Sequence, residues 1–537
     1  MEKRTLLAVL LILVVFWISS EFIWKNKKTQ VEKPATETIE KPEEQVEVKP
    51  TKEITAQIPV EPESDIEIVN NISFENEFLK VSFSNQGAVV NSIQLKEYFL
   101  SDKETPVELI PNNESLLNTE LLMSSGNILN LKNVIFQFIE NKEDNQITFI
   151  SQTEAGIIEK TYKLTGKYQV DLEMRITSYE DFVGYNIGLD SGIADTEEYL
   201  KMKSREYKVV GQLDNAITKY SLAKLKENRE LSGNIDWSAI KSKYFTMAII
   251  PDDLIDMNKL SAFKSNESPA MKIGITVSRP EIVHRYQLYF GPLLYSDLKE
   301  YGNGIENTVE MGPKFLQWIS KIFMAFLKFL HSFIPSWGIC VVIFSVVLKI
   351  ILYPLTHKSF ESSTKMQKIQ PLMNELKTKY KSDPQRMNAE LKKLYKEHGV
   401  NPLGGCLPML FQMPILFALY PILRYSIDLR QAHFLWLPDL SEPDPIWLLP
   451  ILMAVFMFVQ QKLMSPSKQS LEEMDEKQRA SMQSQKMMMY FMPIMMFFIF
   501  KSLSSGLVLY WTLFSVIGSI QQYIIKKKFK KEEQCVK

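Results

Sequence analysis

The chain is poor in the residues that hold metals and staple small folds. Three cysteines occur in 537 residues, Cys340, Cys406 and Cys535, and none lies between residues 25 and 335. That excludes a disulfide framework and a cysteine-based metal site in this long stretch. The five histidines, His284, His331, His357, His398 and His433, are scattered, with no two at the three-to-five-residue spacing of a ligand pair. No GxxxxGK[ST] run is present to cradle a nucleotide phosphate. No cofactor or metal is therefore expected. A formal net charge of −1 supplies no global field for nucleic acid, and no DNA partner is expected.

What is present is segregation. Residues 1–24 and 313–525 are apolar blocks, and residues 25–312 read as polar and globular. The first block follows Met1-Glu-Lys-Arg4 and is longer than the core of a signal peptide. Ser19-Ser20-Glu21 is a poor cleavage site, so the block reads as an uncleaved N-terminal anchor rather than a signal peptide. Lys3 and Arg4 would hold the N-terminus in the cytoplasm. Five further spans are expected at 336–356, 402–423, 445–461, 487–503 and 506–525. Residues 357–401 carry ten Lys/Arg against five acids, and the tail at 526–537 opens with Lys526-Lys-Lys-Phe-Lys-Lys531. Both belong inside by the positive-inside rule, while residues 425–445, with Arg430 against Asp428, Asp439, Glu442 and Asp444, suit the outside. Six spans with both termini inside are the expectation.

Lys349 interrupts the second apolar block, well inside the run from Ser336 to Thr356. A cation there costs roughly 2.5–3.5 kcal/mol on insertion scales, so it marks a functional site unless the lysine snorkels to an interface.

Between the spans the pattern changes. Residues 25–63, rich in Lys, Glu, Pro and Thr, read as a flexible linker. Residues 64–300 show period-two alternation. Tyr168, Val170, Leu172, Met174 and Ile176 alternate with Gln169, Asp171, Glu173 and Arg175, and His284, Tyr286, Leu288 and Phe290 alternate with Arg285, Gln287 and Tyr289. A large antiparallel β-sandwich follows, with no catalytic constellation in it. Residues 313–331 read as an amphipathic helix lying in the membrane plane, with Lys314, Gln317, Lys321, Lys328 and His331 on one face and Leu316, Ile319, Phe323, Phe326 and Leu330 on the other. The loop 357–401 reads as a helical hairpin. Met366, Ile369, Met373, Leu376 and Tyr380 form one seam, Met387, Leu391 and Leu394 the return, and Asp383-Pro384 the start of the second helix. Its outer face carries Lys365, Lys368, Lys377, Lys379, Arg386, Lys392 and Lys393. That face either satisfies topology or meets anionic lipid, the ribosome or an incoming chain.

The run Asn401-Pro-Leu-Gly-Gly-Cys-Leu-Pro-Met-Leu-Phe-Gln-Met-Pro-Ile415 resembles the signature of the YidC membrane protein insertase family. Tyr353-Pro-Leu-Thr356, Ser505-Gly-Leu-Val-Leu-Tyr-Trp511 and Gln521-Gln-Tyr523 resemble it too, in the same order. The resemblance implies a polytopic α-helical membrane protein with a five-helix insertase core and a periplasmic β-supersandwich. It also implies a hydrophilic groove, open to the cytoplasm, that passes nascent membrane segments into the inner membrane, alone or with the Sec translocon. The family places an arginine in that groove, where this chain has Lys349 four residues before Tyr353. By position, Ser345, Gln412, Tyr510 and Trp511 are the other groove candidates; Ser345 could instead bond its own helix, and Tyr510 and Trp511 could form an interfacial belt. Because a buried lysine can lose its proton and an arginine does not, Lys349 is expected in a wet groove. Two other classes stay open: a secondary transporter or channel with Lys349 as its substrate or proton site, and a membrane-anchored periplasmic enzyme. No internal repeat supports the first, and no paired carboxylates or histidines support the second.

Overall fold

The computed structural model describes residues 67–153, 155–178, 182–251, 255–277, 279–401, 407–464, 487 and 490–536. The expected anchor at 1–24, the linker at 25–63 and Pro402–Cys406 of the signature run lie outside the described residues.

Residues 72–292 build three antiparallel sheets, of four, nine and six strands. The alternation in Gln169–Ser178 is what makes this possible, because Val170, Leu172, Met174 and Ile176 are all buried on one side of that strand. It pairs with Glu281–Pro292 in the middle of the nine-stranded sheet, setting Val170 opposite Leu288, Leu172 opposite Tyr286 and Met174 opposite His284. Residues from all three sheets share one hydrophobic core, which includes Trp237, Tyr162 and Phe149. Trp237 is fully buried, and its indole N–H donates to the Asn303 carbonyl at 2.8 Å, so the largest side chain of the core leaves no polar group unsatisfied.

The segment leaving the sheets is tied back by charge. Glu310 accepts from Lys208 at 2.6 Å, with Lys219 and Lys241 at 3.5 and 3.7 Å. Burial alone would raise the Glu310 carboxyl. The ammonium groups of Lys241, Lys219 and Lys208 overcome that and hold it well below the usual carboxylate range.

Seven helices follow among the described residues. α1 spans Gln317–His331 after a 3-10 turn at Lys314–Leu316. α2 spans Trp337–Lys379, α3 Pro384–Glu397, α4 Leu407–Tyr425, α5 Leu448–Met464, α6 Tyr490–Phe500 and α7 Ser505–Val536. By length and composition, α2 and residues Ser505–Lys528 of α7 can cross a bilayer, and Leu448–Leu463 and Tyr490–Phe500 are shorter apolar helices.

The expected span 336–356 and the first arm of the hairpin are one helix: α2 continues through Pro354 and Pro371 for 43 residues. Composition turns from apolar to charged at His357, but a change of solvent is no reason for the i→i−4 ladder to stop. The amphipathic segment is also apolar on two sides. Leu316 and Leu327 are buried, and Phe323, Phe326 and Leu330 pack on the helical core, whereas Phe315, Trp318, Ile322 and Phe329 are exposed. The apolar face picked out in the sequence thus contacts protein, and a neighbouring stripe is the open one.

The hairpin closes where its seams predict. Ile369, Leu394 and Val400 form its core, with Met366, Met373, Leu376 and Tyr395 against them. The Asp383 side chain caps α3 by accepting from the Arg386 N–H at 3.0 Å, with Pro384 in the first turn.

Candidate functional site

The site is built where α2, α5 and α7 meet. The Ser336 hydroxyl caps α2 by accepting from the Ile339 N–H, and the helix carries Lys349 into contact with α7. There the side chain is 3 % exposed. Its Nζ lies 3.7 Å from the centre of the Phe514 ring, and among the described residues it forms no ion pair with a carboxylate. A Cβ added at Gly518, one turn beyond Phe514, would lie 3.3 Å from that Nζ and 3.2 Å from Gln460 Nε2 of α5. A side chain at residue 518 would therefore crowd the ammonium where it sits. The expectation of a wet lysine is not met in this conformation, since the partner of the charge is an aromatic face.

The other candidates separate into distinct environments. Gln412 donates from Nε2 to the Tyr510 hydroxyl at 3.0 Å, joining α4 to α7. Tyr510 is fully buried, its ring 6.4 Å from Phe344 and 6.0 Å from Phe514, so Gln412, Tyr510, Phe514 and Lys349 form one connected chain of contacts. Ser345 is buried in α2 and donates to its own helix at the Val341 carbonyl, 2.6 Å away. It contributes no polar group to this chain. Trp511 turns away to Phe500, 5.2 Å between ring centres.

Sequence reading overlooked the polar seam of α7. Thr512 donates to the Leu449 carbonyl and Ser519 to the Phe456 carbonyl, both on α5. Gln521 exchanges hydrogen bonds with Thr356 of α2 at 3.1 and 3.3 Å. The signal was available: Thr512, Ser515, Gly518, Ser519 and Gln522 recur at helical spacing, the small and polar pattern by which helices approach closely in lipid. Of the hairpin cations, Lys365 pairs with Glu361 at 2.9 Å, and Arg386 and Lys379 lie over the Tyr380 ring; Lys392 and Lys393 are exposed.

At the opposite end, the last turn of α4 and the loop after it are bound to the β domain. Arg424 donates from Nε and Nη2 to Glu206 Oε1 at 3.1 and 2.6 Å, with both side chains at most 5 % exposed. Arg430 donates to Glu197 at 2.8 Å and to the Thr196 carbonyl. Lys243 donates to the Ser441 carbonyl, and Gln431 to the carbonyls of Phe99 and Leu100. Burial pushes the nearby Glu442 carboxyl up to about 7; Asp439, Glu197 and Glu206 add to the shift and Lys243 opposes it.

Residues 71–326 match the family described as the YidC periplasmic domain, and residues 329–533 the 60Kd inner membrane protein. A membrane protein insertase YidC of Geotalea uraniireducens is 32 % identical over 553 residues, covering 98 % of this chain and 99 % of that one. The chain belongs to the YidC membrane protein insertase family. A YidC of Syntrophus aciditrophicus is 29 % identical over 98 % of this chain and all of its own. A crystal structure of an active YidC insertase is similar at 18 % identity, covering 85 % of this chain and 93 % of that one, with a TM-score of 0.35. In YidC terms, the three sheets belong to the periplasmic domain, and α2 to α7 fall in the region matched by the inner membrane protein family.

Proposed function

We propose that this protein inserts nascent membrane segments into the inner membrane through the seam between α2, α5 and α7, with Lys349 as the charge that receives an acidic client tail. The observation that carries this reading is a buried cation with no acidic partner among the described residues, set beside a row of small and polar groups on a membrane-length helix. A polar flank moving through hydrocarbon leaves groups unsatisfied at several kcal/mol each. A polar seam lowers that barrier, and the client's own apolar span then drives release at about 0.8 kcal/mol per buried CH₂. The work is positional and needs no bond-breaking step.

Around this core we place six spans with both termini in the cytoplasm. The basic hairpin and tail face anionic lipid and the ribosome, and the Sec translocon is a partner for longer clients. The reading as a transporter or channel is set aside, since relatives of nearly full length are named insertases. The test is insertion of a small coat-type client into vesicles containing the purified full chain. Lys349→Met should lower insertion of a client with an acidic translocated tail by about tenfold or more, the loss of one close charge pair, and Lys349→Arg should retain it. Normal insertion by Lys349→Met would sink the proposal.

A further inference from the structure

Of the charged groups buried in the helical region, Arg424 is matched by Glu206, and Asp444 accepts from the backbone amides of Ile446 and Leu449. Lys349 has no counterpart of either kind among the described residues; what covers its ammonium is the Phe514 ring. The geometry points to Phe514 as the residue that holds the Lys349 ammonium charged and in place between clients, with Gly518 as the floor that lets it sit there. This rests on the reading of Lys349 as the client-receiving charge.

Phe514 and Gly518 stand four residues apart on α7, so they present one face to α2. The ring's quadrupole attracts the ammonium and not the neutral amine, which an aliphatic side chain of equal bulk cannot do. An arginine at residue 349 would carry its charge in any surroundings, whereas a lysine depends on what faces it. The aromatic cap is thus matched to the lysine of this chain. An arriving carboxylate displaces the ring, because attraction between two full charges at contact exceeds that between a charge and a quadrupole. Phe514 is accordingly a positioning residue that tunes selectivity for acidic tails.

The experiment compares two clients in vesicles holding the full chain. One carries a short acidic translocated tail; in the other the tail acids are replaced by their amides. Phe514→Leu should lower insertion of the acidic client roughly three- to tenfold and leave the amide client within about twofold, while Phe514→Tyr retains both. In a Lys349→Arg chain, Phe514→Leu should cost less than about twofold. Gly518→Ala, which crowds the ammonium and Gln460, should reproduce the selective loss. Equal loss on both clients would make Phe514 a packing residue and overturn the inference, as would no loss or a gain on the acidic client. If Lys349→Met itself treats the two clients alike, the underlying reading fails. If Lys349→Met discriminates and Phe514→Leu does not, only the inference fails.

Discussion

Replacing Glu206 by alanine removes the carboxylate that, among the described residues, Arg424 contacts across the junction between the periplasmic sheets and the helices. Both side chains are almost wholly buried. The guanidinium would then be left in a low-dielectric contact without its partner, which costs about 3–5 kcal/mol. At about 1.4 kcal/mol per decade, that is roughly two to three and a half orders of magnitude in the docking equilibrium. The pair as a whole is worth much less, because its Coulomb gain is set against the desolvation of two ions. The double variant Glu206→Leu, Arg424→Met should therefore recover most of the loss, to within about tenfold of wild type. Limited proteolysis of the detergent-purified chain measures this, since cleavage tracks the open population when reclosing is fast. The expected order is wild type slowest, the double variant close behind, and each single variant faster by two orders or more. Single variants within threefold of wild type, or a double variant as fast as either single, would refute the reasoning.

Glu442 gives the same junction a pH dependence. Its folded value of about 7 lies above the ordinary carboxylate 4.5, so its stabilising contribution is full below 4.5 and is lost as pH rises through 7. The melting temperature of the chain should fall across that window more steeply than that of Glu442→Gln, and equal slopes would contradict the assignment. In the hairpin, Leu394→Ala should destabilise by about 2–4 kcal/mol and Asp383→Ala by about 1 kcal/mol, read as faster amide exchange in residues 384–397. Changing Arg386, Lys392 and Lys393 to glutamine should weaken binding to anionic vesicles by about 1 kcal/mol per charge, and the difference should shrink at high salt.

The parts of the fold legible in the sequence were those written in local periodicity. The alternation at 168–176 gave a strand with its buried face, whereas at 284–290 it gave the strand but not the face, since Tyr289 is buried and His284 only half-buried. In the hairpin, Met366, Ile369, Met373, Leu376 and Leu394 of the two seams pack together and Asp383 caps the second helix. Pairing was not legible: that Leu172 faces Tyr286 across more than a hundred residues depends on which strand completes the sheet, and no local pattern encodes that. That the span at 336–356 and the first arm of the hairpin are one helix was not legible, because hydropathy reports the solvent around a helix and not its hydrogen bonds. For the candidate site, Lys349 stood out through composition alone. Gln412 and Tyr510 were picked by position and touch each other, but Ser345 faces its own backbone and Trp511 turns to Phe500.

The sequence by itself thus determined where charge is anomalous and which faces are apolar, since these follow from residue type and spacing. It also carried the family resemblance, in the run at 401–415 and the motifs that follow it. Only the tertiary structure decided what the anomalous charge meets. Phe514 and Gly518 reach Lys349 from a helix that lies more than a hundred residues further along the chain, and Glu206 reaches Arg424 from more than two hundred residues earlier. The environment of a buried charge is set by what packs around it, and packing joins segments that the linear chain keeps apart.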